Sequence, residues 1–180
     1  MTANITYTAE EYARTKEEHP FRTHVEKFTI FHLLGDVSGK RILDAGCGDG
    51  VYSRELINHG AAHVIGVDGA QDFIDLAKKK NIGFEGKIDY HCAFVQNFFG
   101  DADRDFVVGS YILSYPKDLR EATEYCRAMA HHLKPGGAFI GFNNNPFEVF
   151  NGARYFKYGF EKKMYGNTEG EKVIYRIAGM

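Results

Sequence analysis

Three glycines and two carboxylates carry the strongest chemical signal in the chain. The segment Leu43-Asp44-Ala45-Gly46-Cys47-Gly48-Asp49-Gly50 closes one apolar run and opens an amphipathic one. Glycines at such a junction permit a tight turn, and without a Cβ they let a ligand approach the backbone closely. Amide groups at the start of the following helix favour an anionic or strongly polar ligand. Asp68 ends the next apolar run, 18 residues beyond Gly50. A carboxylate in that place accepts both hydroxyls of a ribose. It can also cap the helix that begins near Ala70, and the two roles are compatible. Together the features point to a nucleoside-bearing ligand.

Positioning these residues requires strands that end side by side, and the text supplies them. Arg41–Ala45, His63–Asp68, Ile88–Ala93, Asp105–Ser110 and Ala138–Phe142 read as five short strands. Helices are expected at about Asp49–His59, Ala70–Lys80 and Asp118–Leu133, with a turn at Lys134-Pro135-Gly136-Gly137. Strand–helix alternation predicts an α/β fold, a doubly wound parallel sheet with helices on both faces. Ahead of it, Thr8 and Glu11 have capping-box spacing for a polar helix to about His19. Phe21, Val25, Phe28, Phe31 and Leu34 then recur at helical spacing. Beyond Phe142 the chain is aromatic-rich, and Glu171–Ile177 alternates like a strand with one solvated face, which suits a hairpin or a cover over the sheet's carboxyl end. The expected organisation is one domain over 1–180, with a helical cover at 1–36, a cofactor-binding core at 37–142 and an extension at 143–180.

The spacing of the glycines narrows the ligand. A dinucleotide loop reads G-x-G-x-x-G, its third glycine allowing close helix packing beside a pyrophosphate. This chain reads Gly46-x-Gly48-x-Gly50, with Asp44 inside the strand before it. That text resembles the first motif of class I S-adenosylmethionine-dependent methyltransferases. Val64-Ile65-Gly66-Val67-Asp68, Asp105-Phe106-Val107-Val108 and Leu133-Lys134-Pro135-Gly136-Gly137 resemble later motifs in the family's order, so the likeness covers about Val37 to Phe142. The N-terminal helices and the Gly35–Gly39 entry are similar to those of small-molecule methyltransferases of the toxoflavin-pathway type. The resemblance implies S-adenosylmethionine as cofactor, with its amino-acid end over the glycines. It implies cofactor contacts at Asp44, Gly46, Cys47, Gly48, Asp68, Gly69, Phe94, Val95 and Ser110. Tyr7, Tyr12, Tyr111, Tyr115 and Asn143 fall where an acceptor would be bound, and Tyr111 and Asp36 are candidates for a base.

The chain departs from the family's pattern in two places. Phe94 stands where members usually carry an acid for the adenine amino group. A ring can pack on adenine or sit in the core, but it cannot accept that hydrogen bond. Ala93–Val95 backbone or Gln96 are the possible substitutes. The further helix and two strands that members usually carry after the fifth strand are not in the text. These departures keep a second function in view, a cofactor-binding module without turnover. A nicotinamide oxidoreductase would need the glycine spacing that is missing here.

Composition excludes other classes. The 180 residues are 44% hydrophobic and 26% charged, ordinary for a globular domain. Twenty-two basic against 24 acidic residues give a formal charge of −2, so no electrostatic excess advertises nucleic acid or an anionic membrane. No apolar run approaches the roughly 20 residues that span a bilayer. Nothing at the N-terminus reads as a secretory signal. Cys47, Cys92 and Cys126 stand at long spacings that suit buried thiols in a reduced compartment, not a disulfide framework or a zinc site. The expected setting is the cytoplasm and the expected partner a small-molecule methyl acceptor, with no metal.

Overall fold

The computed structural model describes residues 8–18, 20–143, 160–164 and 173–177. The chain divides into two compact units, Ile30–Asn143 and the outer segments Met1–Thr29 with Asn144–Met180. The larger unit contains the sheet: β1 (Arg41–Ala45), β2 (His63–Asp68), β3 (Ile88–Cys92), β4 (Arg104–Ser110) and β5 (Leu133–Phe142). Helices α3 (Val51–Asn58), α4 (Gln71–Lys79) and α5 (Leu119–His131) connect them. All five strands are parallel, in the order β3-β2-β1-β4-β5.

Side-chain alternation sorts the core onto the two faces of this sheet. On β1, Ile42 joins a cluster with Leu56 of α3, Ile74 of α4 and Val64. Its neighbours Leu43 and Ala45 join a second cluster with Tyr125 and Met129 of α5. Successive residues of a strand point to opposite faces, so a strand covered on both sides must be apolar throughout. Asp44 is the exception in β1, and it shares the Ile42 face. Ile30 and Leu34 are buried in the first cluster, which is why the larger unit begins inside α2 (Lys27–Leu34) instead of at residue 37.

Two elements differ from the sequence expectation. The helix expected from Phe21 to Leu34 is wound as a π-helix over Phe21–Glu26 and becomes α-helical only at Lys27. Apolar spacing reports a face and is tolerant of the winding that produces it. The turn at Lys134–Gly137 lies within β5, as an outward bulge. Arg104 pairs Leu133 while Phe106 pairs Ala138, so the four intervening residues loop out, and Gly136 turns with φ +81°.

In the smaller unit, α1 (Ala9–Glu18) starts with the expected capping box. The Thr8 N–H donates to Glu11 Oε2 at 2.8 Å and the Glu11 N–H donates to Thr8 Oγ1 at 3.2 Å. The hydrogen bonds from Thr8 hold the Glu11 carboxyl below its ordinary range. Here too β6 (Phe160–Met164) and β7 (Val173–Ile177) pair antiparallel, the hairpin pairing expected of the alternating segment. Of the three cysteines, expected to be buried, Cys47 is, whereas Cys92 and Cys126 are exposed, at the end of β3 and on α5. Among the described residues no helix is long and apolar enough to cross a membrane.

Candidate functional site

Strands β1, β2 and β3 run outward in one direction from the middle of the sheet and β4, β5 in the other. The reversal between β1 and β4 leaves a crevice beyond their carboxyl ends, the place where open α/β sheets take ligands. Five strands at about 4.8 Å spacing make that row roughly 19 Å long. Each strand delivers at least one predicted site residue to it.

The loop after β1 turns on Gly46, Gly48 and Gly50, with φ of +74°, +56° and +76°. This left-handed region is costly for any residue with a Cβ. Its N–H groups are largely spent inside the protein. Gly46 and Cys47 donate to the Val67 carbonyl at 2.8 and 3.0 Å, and Gly50 donates to the Cys47 carbonyl at 3.0 Å. The Gly48 N–H donates to Asp68 Oδ2 at 2.9 Å. The loop therefore lacks the row of outward amides that cradles a pyrophosphate. What the loop offers is close approach to bare backbone.

Asp68, at the end of β2, is half-buried. Its second oxygen accepts from the Ala70 N–H at 2.9 Å; Ala70 is the N-cap of α4, without a side-chain cap, so Asp68 braces the turn ahead of the helix instead of capping it as expected. Each carboxylate oxygen can accept more than one hydrogen bond, which leaves acceptor capacity for vicinal hydroxyls. Beyond β3, Phe94 is 57% exposed, so the core role is excluded for it. Its ring instead lies against Gly69, where an added Cβ would come within 2.6 Å of Phe94 Cε1. Val95 is buried and offers only backbone. Gln96 Oε1 is buried without a hydrogen-bond partner among the described residues.

Across the reversal, the turn after β4 meets the glycine loop, since a Cβ on Gly46 would stand 3.0 Å from Ile112 Cδ1. Ser110 Oγ, at the end of β4, is buried and has no hydrogen-bond partner among the described residues. Tyr111 follows with φ +62°, the one non-glycine residue with positive φ among those described. Its N–H donates to the Phe142 carbonyl at 2.9 Å and its ring meets Phe142 edge-on at 5.1 Å. Strain of this kind persists where surrounding structure over-determines it, commonly beside a ligand. Asn143, just past β5, accepts from the Ser114 hydroxyl, and Tyr115 is 70% exposed. Tyr12 lies half-buried on α1 in the other unit, and Tyr7 falls outside the described residues.

One candidate base is overturned. Asp36 precedes β1, in a loop joined to the segment entering β2 through the Gly39 N–H and the Gly60 carbonyl. That is the opposite end of the strands from the crevice. Its carboxylate accepts from the Ser38 N–H at 2.9 Å, and the Ser38 hydrogen bonds hold its pKa below the ordinary value.

Asp44, expected among the cofactor contacts, is joined behind the loop by residues that the sequence did not single out. Asp44 is buried and accepts from Ser53 Oγ of α3 at 2.6 Å. Asp49 is 1% exposed and is paired with Lys80 at 3.0 Å and Arg54 at 3.7 Å. A buried carboxylate needs such compensation, and this one ties the loop to the ends of α3 and α4. Tyr90 of β3 reaches under Gly50. No local pattern marks Lys80 or Tyr90, because their partners Asp49 and Gly50 lie 31 and 40 residues away.

Comparison with known proteins agrees with this geometry. Residues 42–137 match the family model described as a methyltransferase domain, over half of the chain. The chain belongs to this family. Among curated relatives it is 34% identical over 116 residues to the ubiquinone biosynthesis O-methyltransferase of Coxiella burnetii, covering 63% of this chain and 48% of that protein. The chain thus spans about half the length of the curated relatives it matches. A crystal structure of an S-adenosylmethionine dependent methyltransferase from Mesorhizobium loti superposes with TM-score 0.61 at 23% identity, covering 90% of this chain and 66% of that one. The phosphoethanolamine N-methyltransferase 1 of Haemonchus contortus, solved with phosphoethanolamine and S-adenosylhomocysteine, gives TM-score 0.53 at 18% identity, covering 68% and 28%. At these identities the solved structures speak for the methyltransferase fold.

Proposed function

We propose that this methyltransferase-family chain binds S-adenosylmethionine along the carboxyl ends of β3, β2 and β1 and transfers its methyl group to a small molecule held beyond β4 and β5. One observation carries the proposal: the order in which the sheet delivers its side chains. An exposed ring (Phe94) comes first, then a carboxylate with spare acceptor capacity (Asp68), a loop of left-handed glycines, and a strained tyrosine (Tyr111) beside Asn143. That order suits a base, a ribose, a 5′ substituent and a second reactant.

The protein's own part is to bind and align. Phe94 offers a stacking face for adenine, and Gln96 Oε1 an acceptor near it in place of the missing acid. Asp68 accepts the ribose hydroxyls, Gly46 and Gly48 let the ligand approach bare backbone beside Cys47, and Gly69 makes room for the Phe94 ring. Ser110 Oγ provides an unspent polar group between cofactor and acceptor, and Tyr111, Tyr115 and Asn143 line the acceptor side, with Tyr7 and Tyr12 assigned to a cover. When bound, S-adenosylmethionine supplies a methyl group on a positive sulfur, which an N, O or C nucleophile of the acceptor displaces. Holding both reactants in line and excluding water accounts for most of what an enzyme must add to such a displacement. The relatives' name, ubiquinone biosynthesis O-methyltransferase, favours an oxygen nucleophile. The cytoplasmic setting and the absence of nucleic-acid or membrane partners belong to the same proposal.

Phe94 in place of an acid favours the second reading, binding without turnover. Calorimetry with S-adenosylmethionine, S-adenosylhomocysteine and NAD, followed by methyl transfer to phenolic acceptors, separates the readings. Uptake of the first two, not NAD, with methylated product supports the proposal. Uptake without product supports the second reading, and NAD as the preferred ligand overturns both.

A further inference from the structure

Under the glycine loop a single phenol fills space that two glycines leave open. A Cβ on Gly50 would lie 2.2 Å from Tyr90 Oη, and a Cβ on Gly66 of β2 would lie 2.7 Å from Tyr90 Cδ1. The ring is thus interlocked with the loop above and the neighbouring strand beside it. Tyr90 is buried, and its hydroxyl donates to the Gly50 carbonyl at 3.5 Å. Ser53, beside the phenol, spends its one proton on buried Asp44 at 2.6 Å. Burial foremost, with the negative charge of Asp44 nearby, pushes the phenol well above its ordinary pKa against the opposing pull of Arg54. Tyr90 is therefore a neutral donor at physiological pH. A buried hydroxyl is retained where its hydrogen bonds fix something, since a phenylalanine would fill the same volume without the cost of burying a polar atom.

We infer that Tyr90 is a positioning residue for the methyltransferase site, holding Gly46–Gly50 in ligand-ready form through its ring, interlocked with Gly50 and Gly66, and its hydroxyl's bond to the Gly50 carbonyl. This rests on the cofactor reading above. The loop has its ligand face on one side and Tyr90 on the other. Its three left-handed residues have little intrinsic reason to keep their orientation, because glycine visits many conformations. The hydroxyl selects one of them. The part of the ligand that lies over the loop, the amino-acid end, should feel the loss of that selection, and the nucleoside end at Asp68 and Phe94 much less.

The test uses two ligands on the full chain. S-adenosylhomocysteine carries the amino-acid end, and 5′-methylthioadenosine shares its nucleoside but lacks that end. Tyr90→Phe keeps the ring and removes one oxygen. Losing the hydroxyl's ordering should weaken S-adenosylhomocysteine about tenfold and 5′-methylthioadenosine by no more than about twofold. Equal weakening of both ligands would reduce Tyr90 to general packing, and unchanged affinity for both would remove its role altogether. A wild-type chain that takes up neither ligand would overturn the cofactor reading, and this inference with it.

Discussion

At the scale of single residues, exposure separates the side chains that meet a ligand from those that prepare its place. Phe94 keeps a large exposed ring against Gly69, an arrangement with no packing benefit to explain it. Base–aromatic stacking is worth roughly 1–3 kcal/mol, so Phe94→Ala should weaken S-adenosylmethionine by about tenfold or more. Because the ring contributes little to the core, the melting temperature should stay within about 2 °C. A variant that melts much lower with unchanged affinity would make Phe94 a structural residue. Asp68 and the glycines were legible in the sequence because a strand end followed by a bare turn is a local pattern. Tyr90 and Ser53 were not. Their contacts with Gly50 and Asp44 exist only after β1, β3 and α3 have come together, and no spacing rule encodes a contact over 40 residues.

At the scale of elements, one carboxylate joins three strands at the end of the sheet opposite the crevice. Asp105 Oδ2 accepts from the Arg41 N–H at the start of β1 at 2.9 Å, while Oδ1 pairs with Lys134 in the β5 bulge. Burial pushes this carboxyl up, but the hydrogen bonds from Lys134 and Arg41, with the charges of Lys134 and Lys40, outweigh it. The net pKa lies below the ordinary value of 3.8. An acid whose pKa is depressed by folding stabilises the fold above its unfolded pKa and loses that contribution as pH falls through the folded one. Asp105→Asn should therefore cost on the order of 1 kcal/mol near neutrality, with the deficit shrinking below about pH 4. Urea midpoints for both proteins across that range test this, and a deficit independent of pH would contradict it. The bulge that presents Lys134 shows what the sequence could and could not tell. Pro135-Gly136-Gly137 plainly marks a turn, but Leu133 pairing with Arg104 before the turn depends on β4 being alongside. In the same way, the apolar spacing of Phe21–Leu34 marks a helical face and leaves its winding to the surroundings.

At the scale of the whole molecule, the strand order is what converts scattered residues into a site. Parallel strands with right-handed crossovers were inferable from strand–helix alternation alone, and the reversal between β1 and β4 then fixes where a ligand belongs. The outer segments are less legible, since an amphipathic aromatic helix serves a cover and a partner surface equally well. On the cover assignment, residues 1–34 should exchange amide hydrogens more slowly when S-adenosylmethionine is bound, as expected of a segment that closes for reaction and opens for release. Identical exchange with and without ligand would reduce the segment to packing.

The central claim is that the ligand runs along the carboxyl ends of β3, β2 and β1 with its ribose at Asp68, and the affinity of Asp68→Ala for S-adenosylmethionine tests it most directly. Charge-assisted hydrogen bonds of this kind contribute roughly 1.5–3 kcal/mol, so the dissociation constant measured by calorimetry should rise at least tenfold while the circular dichroism spectrum remains that of the wild type. A folded Asp68→Ala protein that binds S-adenosylmethionine as tightly as the wild type would contradict the account.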